Sequence, residues 1–301
     1  MFSPPERVAA HAVARLPDRF RRPGATWLNP DGESLDSFLE APVIGPDGAL
    51  YFVDVLNGRI HRLSTGDEVD AVAEYDGQPN GLKFGRGGRL YIADFKNGLM
   101  QCDVTSGVVA PLLERAGEEG FKGLNDRIFD RTGRLSFTDQ GSTGLQDPTG
   151  RVYRLDEAGD LRVLLTNVPS PNGIALSPDD RTLYVAVTCA NQVWRTRLDG
   201  AGDIGKVGVY VQLSGRSGGP DGIAVDSRGN LVVAQIGSGI VWLFGALGEP
   251  LLRIDCTEGR MPSNIAFGGP ERSTLYITEA ETGTILAAEM PYCGAGIAGS
   301  G

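Results

Sequence analysis

The sequence predicts an all-β chain, a six-bladed β-propeller of four-stranded antiparallel blades around a central channel. One phrase recurs six times along the chain, at spacings of 40, 45, 47, 49 and 43 residues. Periods of this size identify solenoids and propellers. Within each copy the apolar runs are four to six residues, rich in Val, Ile, Leu and Tyr, and parted by turn pairs such as Asp47-Gly48 and Arg228-Gly229. That is a strand-and-hairpin pattern, not a 3.6-residue helical one. Alternation is blurred, as in LVVAQI from Leu231 to Ile236, which is how strands covered on both faces read. Blades that bury their faces against neighbouring blades meet that condition. A pair of β-sandwiches would leave the sixfold recurrence unexplained.

The copies open at EAPVIGPDGALYFVD from Glu40, PNGLKFGRGGRLYIAD from Pro79, LNDRIFDRTGRLSFTD from Leu124, PNGIALSPDDRTLYVA from Pro171, PDGIAVDSRGNLVVAQ from Pro220 and PSNIAFGGPERSTLYIT from Pro262. The propeller is expected over residues 36–291, after an N-terminal extension of residues 1–35 and before a small-residue tail, 292–301. Residues 6–20 read as a short helix or irregular chain, and residues 20–30 as an outermost strand that closes the last blade. The tail is expected to be loosely held.

Composition narrows the chemistry. The chain has 301 residues, 43 of them Gly, and 28 basic against 38 acidic side chains, a net charge of −10. There is no Gly-X-Y period, so the glycines point to tight turns. The acidic balance lacks the footprint of a nucleic-acid binder. Two histidines, His11 and His61, cannot build a three-His zinc site. Four cysteines stand far apart without C-x-x-C spacing, and free, mostly buried thiols are expected. The first 22 residues have no apolar signal core, and no later run approaches 18 apolar residues, so the expectation is a soluble cytoplasmic protein with no membrane partner. No feature speaks to oligomeric state.

The first strand of each propeller blade lines the channel, so positions far apart in sequence converge. The residues opening the six copies are Glu40, Asn80, Asn125, Asn172, Asp221 and Asn264. Carboxylates and amides are costly in a buried channel unless partnered. They suit a hard divalent cation, which takes carboxylate and amide oxygens in flexible geometry. Asn and Asp before Gly are also ordinary turn residues. Glu40 shares their phase without being a turn residue, which favours the metal; Asn80 and Asn264 fit structural amides better.

With these residues in view the chain resembles the regucalcin (senescence marker protein) / gluconolactonase / luciferin-regenerating-enzyme family. The likeness runs through LEAPVI, GLNDRIFDRTGRLSFTD, SPNGIALSPDDRTLYVA, GPDGIAVDSRGNLVVA and SNIAFGG. It implies a six-bladed propeller with one divalent metal at the channel mouth and a lactonase activity, with a phosphotriesterase as a related alternative. Carried over phrase by phrase, the metal ligands are Glu40, Asn125, Asn172 and Asp221, with Asp221 also the general base. Ca²⁺ is the first choice of metal; Fe²⁺, Mn²⁺, Zn²⁺ and Mg²⁺ are the others. Sugar lactonases of this family carry an Arg two residues before the Asn of Asn-Asp, where this chain has Gly123. That weakens a polyhydroxylated sugar lactone and favours a smaller or less polar one.

The mechanism expected is polarisation of the lactone carbonyl by the metal and attack by a water that Asp221 deprotonates. Asn80, Lys122, Asp139 and Gln140, near strand ends on the same rim, are candidate substrate contacts. A non-catalytic propeller that binds a ligand or protein is the alternative from another class. Two motifs are set aside. Gly215-Arg216-Ser217-Gly218-Gly219 matches a nucleophile elbow but leads into another strand. The Gly294–Gly299 dinucleotide fingerprint ends too close to the terminus for a following helix. His61 reads as a surface or hydrogen-bonded residue. The recurring aromatics Tyr51, Phe84, Tyr91, Phe137, Tyr184 and Tyr276 read as packing between blades.

Overall fold

A computed structural model describes residues 3–23, 35–64, 68–215 and 218–296. It is an all-β, propeller-like fold with no α-helix among the described residues. After β1 (Glu6–Arg15), one four-stranded sheet comprises β2 (Leu39–Ile44), β3 (Leu50–Asp54), β4 (Arg59–Leu63) and β5 (Val69–Glu74). The next is β6 (Pro79–Phe84), β7 (Leu90–Asp94), β8 (Gly98–Asp103) and β9 (Val108–Leu113), followed by a small hairpin, β10 (Arg115–Ala116) and β11 (Glu119–Gly120). Two more sheets follow: β12 (Leu124–Phe129), β13 (Leu135–Asp139), β14 (Gly150–Leu155) and β15 (Leu161–Val168), then β16 (Pro171–Leu176), β17 (Thr182–Val187), β18 (Gln192–Leu198) and β19 (Ile204–Gln212). The remaining strands are β20 (Gly219–Val225), β21 (Leu231–Ile236), β22 (Ile240–Phe244), β23 (Pro250–Cys256), β24 (Pro262–Gly268), β25 (Thr274–Glu279) and β26 (Thr284–Glu289).

The sheet order departs from the expectation of six separate sheets. Four stand alone, and the last seven strands join with β1 into one sheet of eight. The cause is β1 itself. Its first half pairs parallel with β23, from Glu6 opposite Leu252 to Ala10 opposite Cys256. Its second half pairs antiparallel with β26, from His11 opposite Ala287 to Arg15 opposite Thr284. Ala10, fully buried, marks the crossing point between them. The helix or irregular chain expected over residues 6–20 is therefore a strand for most of its length. Its Ala-rich run suits a helix in isolation, but pairing with two strand edges outweighs that weak preference. The closing strand expected at 20–30 is supplied by 6–15 instead, and most of 20–30 lies outside the described residues.

The tail also differs from expectation. Ser227 N–H donates to Cys293 O at 2.7 Å, Gly294 N–H to Arg272 O at 2.9 Å and Ala295 N–H to Val225 O at 2.9 Å. It is held as far as the described residues extend. All four cysteines are free, but only Cys102 is buried. His61 is buried, not superficial, stacked on Phe52 at 5.3 Å and edge-on to Phe20 at 4.9 Å. Burial and the nearby Arg59 push its pKa down to about 4.

Of the repeated aromatics, Tyr51, Phe84 and Tyr91 pack between neighbouring sheets, whereas Phe137 stacks on Tyr153 and Tyr184 meets Tyr210 within their own sheets. Tyr51 meets Phe84 with centroids 5.1 Å apart, and Tyr91 meets Phe129 at 5.1 Å. Gly45 makes this possible, because a Cβ there would lie 2.5 Å from the Tyr51 ring.

The first strands β2, β6, β12, β16, β20 and β24 each pack on the next, and β24 packs back on β2. Each carries a register shift at its opening residue, between Glu40 and Val43, Pro79 and Gly81, Leu124 and Arg127, Pro171 and Ile174, Pro220 and Ile223, and Pro262 and Asn264. A bulge re-aims a side chain. In all six first strands the bulge falls at the opening residue.

Candidate functional site

The opening residues are strand residues, and none has a positive φ. Turn chemistry is therefore not what selects Asn and Asp here. The glycines after them answer to crowding: a Cβ at Gly173 would lie 2.3 Å from Asp221 O, and one at Gly222 2.1 Å from Asn264 Oδ1. At Gly173 and Gly222 the neighbouring inner strand comes too close for any side chain but hydrogen.

Glu40, Asn125, Asn172 and Asp221 are all buried, between 3% and 6% exposed. Glu40 Oε2 accepts the Ala41 N–H at 2.8 Å and the Asn264 side-chain amide at 2.9 Å. Asn264 Oδ1 in turn accepts the Ile265 N–H at 2.8 Å, so Asn264 is fully engaged in holding Glu40. Asp221 accepts a hydrogen bond from the Asn172 side chain. Asn125 Nδ2 donates to Gln140 Oε1 at 2.8 Å, and Gln140 Nε2 donates to Ser170 Oγ at 2.8 Å. Gln140 thereby fixes which edge of the Asn125 amide is committed.

Electrostatics single out the two carboxylates. Burial first, and then the Asp221 carboxylate, hold the Glu40 carboxyl well above its usual range, against the bonds from Asn264 and Ala41. Burial pushes Asp221 up to about 8; the Asn172 bond opposes this, and the Asp126 carboxylate adds to it. Neither carboxylate has an ion-pair partner among the described residues. Asn172 Oδ1 is buried with no donor, a cost unless something supplies positive charge. Two carboxylates and two amides, one of them with an undonated oxygen, form an oxygen-only set that fits a hard divalent cation. Among the described residues no three His, Cys, Asp or Glu side chains are grouped to hold a metal. Half of this donor set is amide, so such a group is not required.

The expected substrate contacts divide. Asn80 is half-buried in β6, and its Oδ1 has no donor. Lys122 is exposed at the rim. Asp139 is 1% exposed, and its Oδ1 accepts the Lys122 and Gly123 N–H groups at 2.8 and 2.9 Å. It clamps the loop entering β12, as Asp54 does for Phe38 and Asp94 for Gln78. Gln140 turns to Asn125. At Gly123, φ is +151° and a Cβ would lie 2.6 Å from the Phe95 ring, so the aromatic ring fills the place of a side chain.

Asp126 and Arg127, directly after Asn125, were not among the candidates. Asp126 Oδ1 accepts the Arg127 N–H at 2.8 Å and Arg127 Nη1 at 2.9 Å, just below the ring. The only signal was their place one and two residues after a ring position, with charges where all five other copies carry uncharged residues.

A family model described as SMP-30/Gluconolactonase/LRE-like region matches residues 38–281. Among curated proteins, a pentonolactonase of Haloferax volcanii is 32% identical over 255 residues, covering 80% of this chain and 81% of the relative. The diisopropyl-fluorophosphatase of Loligo vulgaris is 29% identical over 270 residues, covering 83% and 84%. The structure of a calcium-binding protein, regucalcin, from Agrobacterium tumefaciens superposes with a TM-score of 0.77 at 21% identity, covering 98% of this chain and 97% of that one.

Proposed function

The chain belongs to the SMP-30/gluconolactonase/LRE-like family, and from that membership we propose that it is a metal-dependent lactonase acting on a small lactone. The observation that carries the metal reading is the Asn172 Oδ1, buried without a donor beside two carboxylates held above their usual range. Glu40, Asn125, Asn172 and Asp221 would hold the ion. Their all-oxygen chemistry favours Ca²⁺, with Mg²⁺, Mn²⁺, Fe²⁺ and Zn²⁺ following. We count the eight-stranded sheet as two blades stitched by β1, which makes six blades and gives each ring residue a blade of its own.

Bound there, a divalent cation supplies Lewis acidity to the lactone carbonyl and charge to offset the oxyanion. Asp221 takes the proton of the attacking water and returns it to the ring oxygen as the carbon–oxygen bond breaks, leaving a hydroxy acid. Glu40 is held by Asn264 and Asn125 by Gln140, so both present fixed oxygens. Asn80 Oδ1 and Lys122 Nζ are the proposed substrate contacts. Asp139 and Gln140 support the site from behind. Phe95 over Gly123 leaves no room for a cationic side chain there, which favours a lactone with few hydroxyls.

The test is metal analysis of the purified protein, then pH-stat hydrolysis of a lactone panel before and after chelation. Hydrolysis should stop on chelation, return with Ca²⁺, and be lost in Glu40→Gln and Asp221→Asn. Undiminished turnover in those variants would overturn the reading. The relative named diisopropyl-fluorophosphatase favours a second reading, phosphotriester hydrolysis on the same residues. A fluorophosphate ester in the panel separates the two, and a protein inert to both is a binding propeller.

A further inference from the structure

The inner strands open at the ring and run to the opposite end of the channel. There the ends of β24, β2 and β6, with the hairpins that follow them, enclose a groove of about 710 Å³. That is within the range of sites for small organic ligands. Its walls are apolar, from Val43, Ile44, Pro46, Phe84 and Phe267. Gly87 and Gly88, with φ of +80° and +76°, form part of its edge, and a Cβ at Gly87 would meet nothing within 4 Å. The missing side chains leave the groove open at that edge.

Among the described residues, the only charged side chains that line this groove are Lys83 and Arg272, both cations. Lys83 Nζ makes no hydrogen bond or ion pair among the described residues. It is not sealed as Arg127 Nε and Nη2 are, so solvent reaches it. Asp126, the carboxylate that attracts Lys83, is already paired with Arg127 at 2.9 Å. Burial, and then Arg127, pull the ammonium down to about 8, which leaves it mostly charged at neutral pH. Arg272 donates Nη2 to Ala295 O at 2.5 Å, and its Nε and Nη1 are neither bonded nor sealed. Its backbone has φ of +54°, a costly conformation for a residue with a Cβ. The Arg272 N–H donates to Gly269 O at 3.1 Å and its carbonyl accepts the Gly294 N–H at 2.9 Å, which fixes it there. Two cations set beside apolar walls without a counter-charge are an expense that a bound anion would offset.

We propose that this groove binds an organic monocarboxylate, its carboxylate held by Lys83 Nζ and the unused donors of Arg272 and its apolar body laid along Ile44, Phe84 and Phe267. Charge-assisted bonds from two cations to one carboxylate are among the stronger hydrogen bonds a site can offer. The attraction of Asp126 already offsets part of the Lys83 charge, so one negative charge suffices. The apolar walls call for a ligand with a hydrocarbon body, since an inorganic anion would leave them uncovered. No residue of the hydrolytic set lines the groove, so the inference stands apart from the lactonase reading.

The probe is octanoate, titrated calorimetrically into the full chain at pH 7. Binding should be saturable. Acetate, which has the charge without the body, and 1-octanol, which has the body without the charge, should each bind at least about tenfold more weakly. Lys83→Gln and Arg272→Gln should each weaken octanoate binding about tenfold or more, as loss of a charged hydrogen-bond donor does. Where Arg272→Gln disturbs the tail that Arg272 holds, Lys83→Gln decides alone. Crystals soaked in 8-bromooctanoate should show the bromine anomalous peak in the groove beside Phe84 and Phe267. A peak only at the ring or only at other surface positions, an affinity unchanged by Lys83→Gln, or 1-octanol binding as tightly as octanoate overturns the inference.

Discussion

Asn264 donates its side-chain amide to Glu40 Oε2 at 2.9 Å, joining the last inner strand to the first across 224 residues of sequence. The Ala41 N–H falls on the same oxygen, and Oε1 receives no hydrogen bond among the described residues. Asn264 therefore orients Glu40 without competing for a ligand. Asn264→Ala should weaken Ca²⁺ binding about 10- to 100-fold, the usual effect of removing a partner behind a metal ligand. It should also cost about 1–3 kcal/mol of stability for the hydrogen bond lost at a buried carboxyl. Calorimetric titration with Ca²⁺ and urea unfolding measure the two, and an unchanged Ca²⁺ affinity would show that Glu40 does not depend on Asn264.

The pH dependence of the metal-free protein has a definite sign. Glu40 and Asp221 are held above their unfolded values, Asp221 at about 8, so the folded state retains protons that the unfolded chain has released. Their contribution is fully present below the unfolded carboxylate range near pH 4 and is lost as pH rises through the folded values. In chelator the thermal midpoint should fall from pH 5 to pH 8. Asp221→Asn should flatten that slope, and saturating Ca²⁺ should remove it. A chelated wild-type protein that gains stability over this window contradicts the assignment.

Gln140 bridges Asn125 to Ser170, and its effect on the reaction must pass through Asn125. Gln140→Leu should lower kcat/KM for the best lactone about 10-fold and raise the Ca²⁺ concentration needed for half-maximal rate. Gln140→Glu keeps an acceptor for Asn125 Nδ2 and should recover most of both. A substrate contact behaves otherwise: the loss would fall on KM alone, with Ca²⁺ dependence unmoved.

The sequence made the ring legible because it repeats. A polar residue returning every 40 to 49 positions at the head of an apolar run has one explanation in a propeller, convergence on the axis. The glycine after Asn172 and Asp221 was open to two readings, and only the packing of adjacent inner strands separates turn chemistry from close approach. β1 was hidden for the opposite reason. ERVAAHAVAR carries no copy of the phrase, and its strand character comes from the edges of β23 and β26. Asp139 looked like a rim residue until its bonds to the Lys122 and Gly123 N–H groups placed it as a clamp. Arg127 escaped because its meaning lies in two donors without acceptors, which spacing does not record.

The Gly123–Phe95 contact gives the sharpest handle on substrate choice. A Cβ at position 123 would meet the ring at 2.6 Å, and the backbone there has φ of +151°, so two costs act on any replacement. Gly123→Ala should destabilise the protein by about 1–3 kcal/mol through overpacking, plus a backbone term that no change at Phe95 can relieve. Phe95→Ala in the Gly123→Ala background should return the steric part alone, giving a coupling energy of about 1 kcal/mol or more in a double-mutant cycle. The same double variant opens volume beside the site, so its relative rates on bulky or polyhydroxylated lactones should rise against a small unsubstituted one. Unfolding of all four proteins in urea, with kcat/KM on the two lactone classes, tests both halves; additive stabilities would show that the ring does not occupy the side-chain position of residue 123.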